Sequence, residues 1–260
     1  MKPFKPLFYL LIFMMPLSSC LLFPPQRTGA LRSFTTSFES EADFSGFYIV
    51  PQNYMNSSNH ELTNSLVHSG TYSHHAWIYA ANPPSDVFTN NNHRGYPTVQ
   101  FNKTAQGPLI TPCLITLWVY LTMNLQPRSG EDDWFSFATF TDDSSDSWNR
   151  TVLVNLNYQG HVHLMHVPFQ GQQTHLFQTS SITFPMNQWV KLTIYLDLNP
   201  DRGYAKVWQD GQLVSHAEVR GAYWQLAQAH FGLYAPPQMT SGEVYNDDLV
   251  IVEVDNEPVF

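Results

Sequence analysis

QWVKLTIYLDLNPDRGYAKVWQDGQLV, residues 188–214, decides the fold. Across 189–197, Lys191, Thr193, Tyr195 and Asp197 alternate with the aliphatic Leu192, Ile194 and Leu196. A period of two marks a strand with one face on a core. The run Asn199-Pro200-Asp201-Arg202-Gly203 interrupts it with turn residues, since proline lacks an amide donor and glycine tolerates backbone angles that other residues resist. Residues 204–209 resume the strand, and Asp210-Gly211 is the pair that closes a tight hairpin into 212–219.

Working outward, similar short runs occupy 47–50, 71–78, 98–101, 113–121, 134–140, 151–156, 162–167, 230–234 and 249–254, with no helical stretch of comparable length. Strands following one another without helices predict an all-β chain folded as a two-sheet antiparallel β-sandwich. No internal repeat or linker divides residues 38–260, which are read as one domain.

Charged residues make up 13% of the chain, against a usual share of about 25%, while aromatics reach 15%. The surface therefore relies on Asn, Gln, Ser, Thr, His and Tyr, in the manner of extracellular, sugar-facing proteins. With 12 Lys and Arg against 21 Asp and Glu, the net charge is -9, which speaks against nucleic acid as a partner.

The N-terminus reads differently. Lys2 and Lys5 precede an apolar run, 7–17, too short to span a bilayer, and Leu17-Ser18-Ser19-Cys20 follows. This resembles a bacterial lipoprotein signal. The resemblance implies cleavage before Cys20 and a lipid on its thiol, making 1–19 a signal peptide and 20–37 a lipidated tether. Membrane attachment through that lipid is expected, at the outer membrane if the bacterium has two, because Leu21 rather than an aspartate follows the cysteine. An ordinary secretory signal is the alternative. With Cys20 acylated, Cys113 has no partner within the chain, and its apolar surroundings read as a buried hydrophobe.

Strands with a polar second face locate a candidate groove. In HRGYPTVQF, residues 93–101, Arg94, Tyr96, Thr98 and Gln100 alternate with Gly95, Pro97, Val99 and Phe101. Asn155 lies on the polar side of 151–157, His161 and His163 share one side of the next run, and His230, Gly232 and Tyr234 alternate with Phe231 and Leu233. Trp134, Trp148, Trp208 and Trp224 sit near turns, where an indole can stack on a sugar ring.

The order of these pieces resembles concanavalin A-like jelly rolls, the superfamily of lectins, glucanases, laminin-G-like domains and polysaccharide lyases. HFGLYAPP, residues 230–237, is similar to the Phe-Lys-x-Gly-x-Tyr strand of alginate and heparin lyases, which cleave uronate polymers by β-elimination. The resemblance implies Arg94 and Gln100 at a carboxylate, His163 as base and Tyr234 as acid or base. Removing a proton beside a carboxylate requires that its charge be neutralised and the developing enolate stabilised. This chain departs from the lyases at Arg94-Gly95-Tyr96-Pro97, where they have Arg-x-Glu-Leu, and at His161-Val162-His163, where they have Gln-x-His. The superfamily also implies a structural calcium, here between Glu39 and Asp247 or Asp248, whose hard oxygens suit that ion.

No nucleophile elbow, zinc-protease spacing or glucanase carboxylate set is present. Three readings stand. The first is a cell-envelope lipoprotein binding a polysaccharide or glycoconjugate through Arg94, Tyr96, Gln100, Asn155, His161, His163 and Tyr234. The second is a lyase using the same groove, and the third an adhesion or structural lipoprotein without a glycan ligand.

Overall fold

The computed structural model describes residues 29–44, 47–49, 57–82, 92–145, 147–169 and 172–259. Along the chain the described strands are β1 (Ser33–Thr36), β2 (Phe47–Ile49), β3 (Ser58–Thr63), β4 (Ser73–Ile78), β5 (His93–Gly95), β6 (Pro97–Gln100), β7 (Leu109–Ile110), β8 (Cys113–Thr122) and β9 (Trp134–Thr141). They continue with β10 (Thr151–Asn157), β11 (Val162–Val167), β12 (His175–Phe177), β13 (Trp189–Asp197), β14 (Tyr204–Gln209), β15 (Gln212–Glu218), β16 (Gln225–Leu226), β17 (Gln228–Ala235) and β18 (Gly242–Glu253). Only single 3-10 turns interrupt them among the described residues.

Two antiparallel sheets result. The back sheet runs β15-β14-β13-β8-β18-β4-β3, and the front sheet β12-β11-β10-β9-β17-β6-β2; β7 and β16 form a separate ribbon. The quoted stretch supplies one edge of the back sheet, with Leu192 opposite Gln209 and Asp197 opposite Tyr204. Its aliphatic set, Leu192, Ile194 and Leu196, is fully buried. In β8 burial alternates residue by residue, sending Ile115, Leu117, Val119 and Leu121 inward. Phe135, Phe140, Val152, Val154, Leu164 and Phe231 meet them from the front sheet. Each such side chain contributes about 1.5–3 kcal/mol by leaving water.

The sandwich begins earlier than expected. Ser33–Thr36 pairs with Val252–Leu249 of β18, and Arg32 grips Glu253 through Nε and Nη2 at 2.9 and 2.6 Å. The sandwich therefore takes in residues from Arg32 onward, because an arginine with a buried carboxylate partner anchors a strand that composition alone cannot distinguish from linker. Cys20 and the expected signal peptide lie outside the described residues. Cys113 is buried, with Sγ 3.7 Å from the Ile110 carbonyl.

Candidate functional site

Residues directly opposite one another in a sheet share a face, so strand register assembles the front face. Arg94 of β5 opposes Tyr234 of β17, Tyr234 opposes Ser136 of β9, Ser136 opposes Asn155 of β10, and Asn155 opposes His163 of β11. A second row runs Thr98, His230, Thr139, Leu153, Met165. A third joins Gln100, Gln228 and Thr141. Beyond the first row, Trp134 opposes Asn157, whose Oδ1 accepts from the His161 amide.

The densest point is where β5, β6 and β17 meet. Tyr96 falls between β5 and β6, and its ring stacks on His230 with centroids 3.9 Å apart and planes 11° from parallel. Tyr234 stands edge-on to Tyr96 at 6.1 Å, and the Arg94 guanidinium lies 5.9 Å from the Tyr234 ring. Trp134 packs on Tyr234 at 5.3 Å and Trp148 on His230 at 5.2 Å. Asn92 Nδ2 donates to the Tyr234 hydroxyl at 3.0 Å. Gly232 makes this cluster possible. Its φ is +129°, and a Cβ there would lie 2.8 Å from the Gly95 carbonyl and 3.2 Å from the Tyr96 Cβ. A Cβ there would also meet His74 Cε1 of the opposite sheet at 2.9 Å, so only glycine fits between the strand and its neighbours.

Burial sets the charge state of this face. It lowers His230 to about 3, with the nearby charge of Arg94 adding to the effect, and it also lowers His163. The Tyr96 phenol is raised by burial, against the opposing influence of Arg94. Both histidines are neutral at pH 7, and Tyr96 keeps its proton. Three buried polar atoms on the first two rows have no hydrogen-bond partner within the protein: Thr139 Oγ1, Asn155 Oδ1 and His230 Nε2. Left unsatisfied, each costs about 1–3 kcal/mol. Among the described residues eight further buried polar atoms, among them His75 Nε2, Gln209 Oε1 and Asn246 Oδ1, lack a partner elsewhere in the sandwich.

Of the predicted residues, register brings together Arg94, Tyr96 and Tyr234. Asn155 and His163 share the Arg94 row, but His163 is three pairings from Tyr234, about 14 Å at the usual strand spacing. Gln100 sits at the far end of the face, where its Nε2 donates to Gln228 Oε1 at 2.8 Å. Arg94, Gln100, His163 and Tyr234 thus share the front sheet but not one position along it, because alternation identifies a face and not a place within it. His161 lies beside Gln178, its Nδ1 3.0 Å from Gln178 Nε2. Trp134 and Trp148 border the face, Trp208 is buried, and Trp224 precedes the separate β16 ribbon. The contributions of Ser136 and Thr139 escape prediction, whereas His230 is expected on the polar side but without a role. The alternation of His230 with Tyr234 was the available signal.

Glu39, Asp247 and Asp248 all grip the loop between β3 and β4. Glu39 accepts from the amides of Thr71 and Tyr72, and Asp247 from those of His68 and Ser69. Asp248 lies 2.7 Å from His68 Nδ1 and accepts from Ser69 Oγ at 2.8 Å. These hydrogen bonds tie the loop to the first and last strands of the sandwich. Among the described residues no three His, Cys, Asp or Glu side chains gather as a metal site.

The outer face of the back sheet also carries a row, Trp189, Tyr120, Tyr245, His75 and Glu61. Its rings cover one another. Tyr245 stacks on His75 at 4.3 Å and 9°, and His68 lies flat on Trp118 at 3.9 Å.

No family model and no curated protein matches the sequence. Solved structures do share the fold. Endo-β-1,4-glucuronan lyase from the fungus Trichoderma reesei superposes with a TM-score of 0.56 at 15% identity, covering 81% of this chain and 92% of that one. The cellulose-induced protein Cip1 superposes with a TM-score of 0.59 at 14% identity, covering 85% and 97%. At these identities the likeness establishes the architecture, an antiparallel jelly-roll sandwich.

Proposed function

We propose that the chain binds a glycan along the front face, holding it across β5, β17, β9, β10 and β11 without cleaving it. The observation that carries this reading is the five-strand row from Arg94 to His163, with unpartnered polar atoms on it and on the row beside it, bordered by Trp134 and Trp148. Sugar rings offer C–H faces to indoles and phenols, and hydroxyls that both donate and accept. A row of this kind spans about 19 Å at ordinary strand spacing, enough for several sugars. That a fold neighbour is a glucuronan lyase supports a glycan as the ligand class.

Elimination with His163 as base is disfavoured by distance. A base and an acid acting on one sugar must both reach it by hydrogen bonding, whereas His163 and Tyr234 stand about 14 Å apart by strand spacing. Affinity electrophoresis of the full chain through gels cast with alginate, heparin, hyaluronan, glucuronan and neutral polysaccharides tests the proposal. Retardation by at least one gel, with no ultraviolet absorbance from an unsaturated uronate in the same mixtures, is expected. Rising absorbance establishes the lyase reading instead, and no retardation in any gel rejects glycan binding.

The same proposal places the protein at the cell envelope as a lipoprotein acylated on Cys20. Incorporation of a labelled lipid precursor, abolished by Cys20→Ala, is the expected result, and unchanged membrane association of that variant refutes it.

A further inference from the structure

We infer that Gln228 is a positioning residue, one that holds Trp148 in place as a sugar-stacking platform at the border of the front face. This rests on the glycan-binding reading above. The Trp148 indole lies 5.2 Å from the His230 ring, beside the Tyr96 ring that stacks on the same histidine at 3.9 Å. An indole offers a flat apolar face of the size of a sugar ring. The backbone that carries it does not settle there by local preference. Trp148 has a φ of +48° and Arg150 one of +56°, in the left-handed region that residues other than glycine hold only when their surroundings impose it.

Those surroundings are polar. Asp143 Oδ1 accepts from the Ser145 amide at 2.8 Å, and its Oδ2 accepts from Ser145 Oγ, the Asn149 amide and Asn149 Nδ2 at 2.8, 2.9 and 2.8 Å. Thr141 Oγ1 donates to the Asn149 carbonyl, and the Arg150 guanidinium lies 4.7 Å over the Phe169 ring. These contacts close the turn upon β9. Its link to β17, the strand that bears His230, is Gln228. Two residues before His230, and so on the same face, Gln228 is fully buried, and its Nε2 donates to the carbonyls of Asp143 and Ser145 at 2.6 and 2.8 Å. Gln100 Nε2 donates to Gln228 Oε1 at 2.8 Å, which turns the donors of that amide toward the turn. Only an amide both accepts from Gln100 and gives two hydrogens to carbonyls. One side chain thereby sets the height of the turn above β17, and with it the place of the indole against His230.

Fluorine NMR of the full chain labelled with fluorotryptophan, combined with affinity electrophoresis in whichever polysaccharide gel retards it, tests the assignment. Trp148→Phe identifies the Trp148 resonance by its loss. Gln228→Met keeps the length of the side chain and removes its amide. It is expected to shift or broaden the Trp148 resonance, to leave those of Trp118 and Trp189 on the back sheet in place, and to weaken retention about twofold or more. Trp148→Ala should weaken retention at least about tenfold. Adding Gln228→Met to Trp148→Ala should cost no further affinity, because a residue that acts through the indole then has nothing to position. Asp143→Asn, which loosens the same turn from outside the sheet, is expected to behave as Gln228→Met does and keeps the test decisive should the latter not fold. A Trp148 resonance unmoved by either substitution, or a further loss when Gln228→Met is added to Trp148→Ala, overturns the positioning role while glycan binding stands. Trp148→Ala retained as strongly as the parent overturns the platform. Retention of the parent chain by no gel overturns the glycan reading and the platform together.

Discussion

Acid should unfold this protein well before its carboxylates are exhausted. Burial lowers the pKa of His60, His74, His93, His163, His166 and His230, with His60 brought to about 4 and His230 to about 3. In the unfolded chain each takes up a proton as pH falls through about 6.5. The folded chain does not follow until much lower, so stability present above that value is lost as pH drops toward the folded pKa. Between about pH 7.5 and pH 5, His60 and His230 should each cost about 2 kcal/mol, roughly 4 kcal/mol together, and the other four act in the same direction. Asp142 and Asp247, raised by burial, oppose the trend by favouring the protonated folded form. Urea unfolding at the two pH values measures the difference, expected to exceed about 1 M in midpoint. His230→Gln should shrink the pH-dependent loss by about 2 kcal/mol whatever its effect at neutral pH. Stability constant within about 1 kcal/mol from pH 7.5 to pH 5, or a variant that loses stability in parallel with the parent, would refute the argument.

Other substitutions probe packing and site. Gly232→Ala forces a side chain onto a φ of +129° and into the Gly95 carbonyl, so it should destabilise by more than about 1 kcal/mol and abolish glycan binding together with the Tyr96 stack. Gly70→Ala places a Cβ against the Glu39 carboxylate. In a double-mutant cycle with Glu39→Ala the two losses should sum to more than the double variant shows, and strict additivity would deny that contact. Leu117→Ala, at a buried central position, should cost about 2–5 kcal/mol in urea unfolding. Tyr234→Ala should weaken glycan affinity at least about tenfold, whereas Tyr120→Ala on the back sheet should leave it unchanged.

What could be read from the residues follows from which interactions are local. Alternation in 189–197 is a one-strand property, and that strand forms close to its expected bounds with the expected face inward, while the apolar run 113–121 also forms a strand, Cys113–Thr122. Val162–Val167 and Tyr204–Gln209 appear at the expected limits, since turn residues flank them. The strand Ser58–Thr63 escapes notice because it is a polar edge strand, and Ser33–Thr36 because its pairing is supplied by residues more than two hundred positions away. The same reason limits the site. That Arg94, Tyr96, Gln100 and Tyr234 lie on polar faces is legible. That Arg94 opposes Tyr234 while Gln100 opposes Gln228 is a matter of register between distant segments, which alternation does not encode. His163 shows the consequence, belonging to the expected face yet separated from Tyr234 by two intervening strands.

A crystal structure of the full chain with a bound oligosaccharide tests the central claim most directly. Sugars lying across β5, β17 and β9, with one contacting Arg94 or Tyr234, are the predicted result. Sugars seated instead on Trp189, Tyr120 and Trp77 of the back sheet would contradict it.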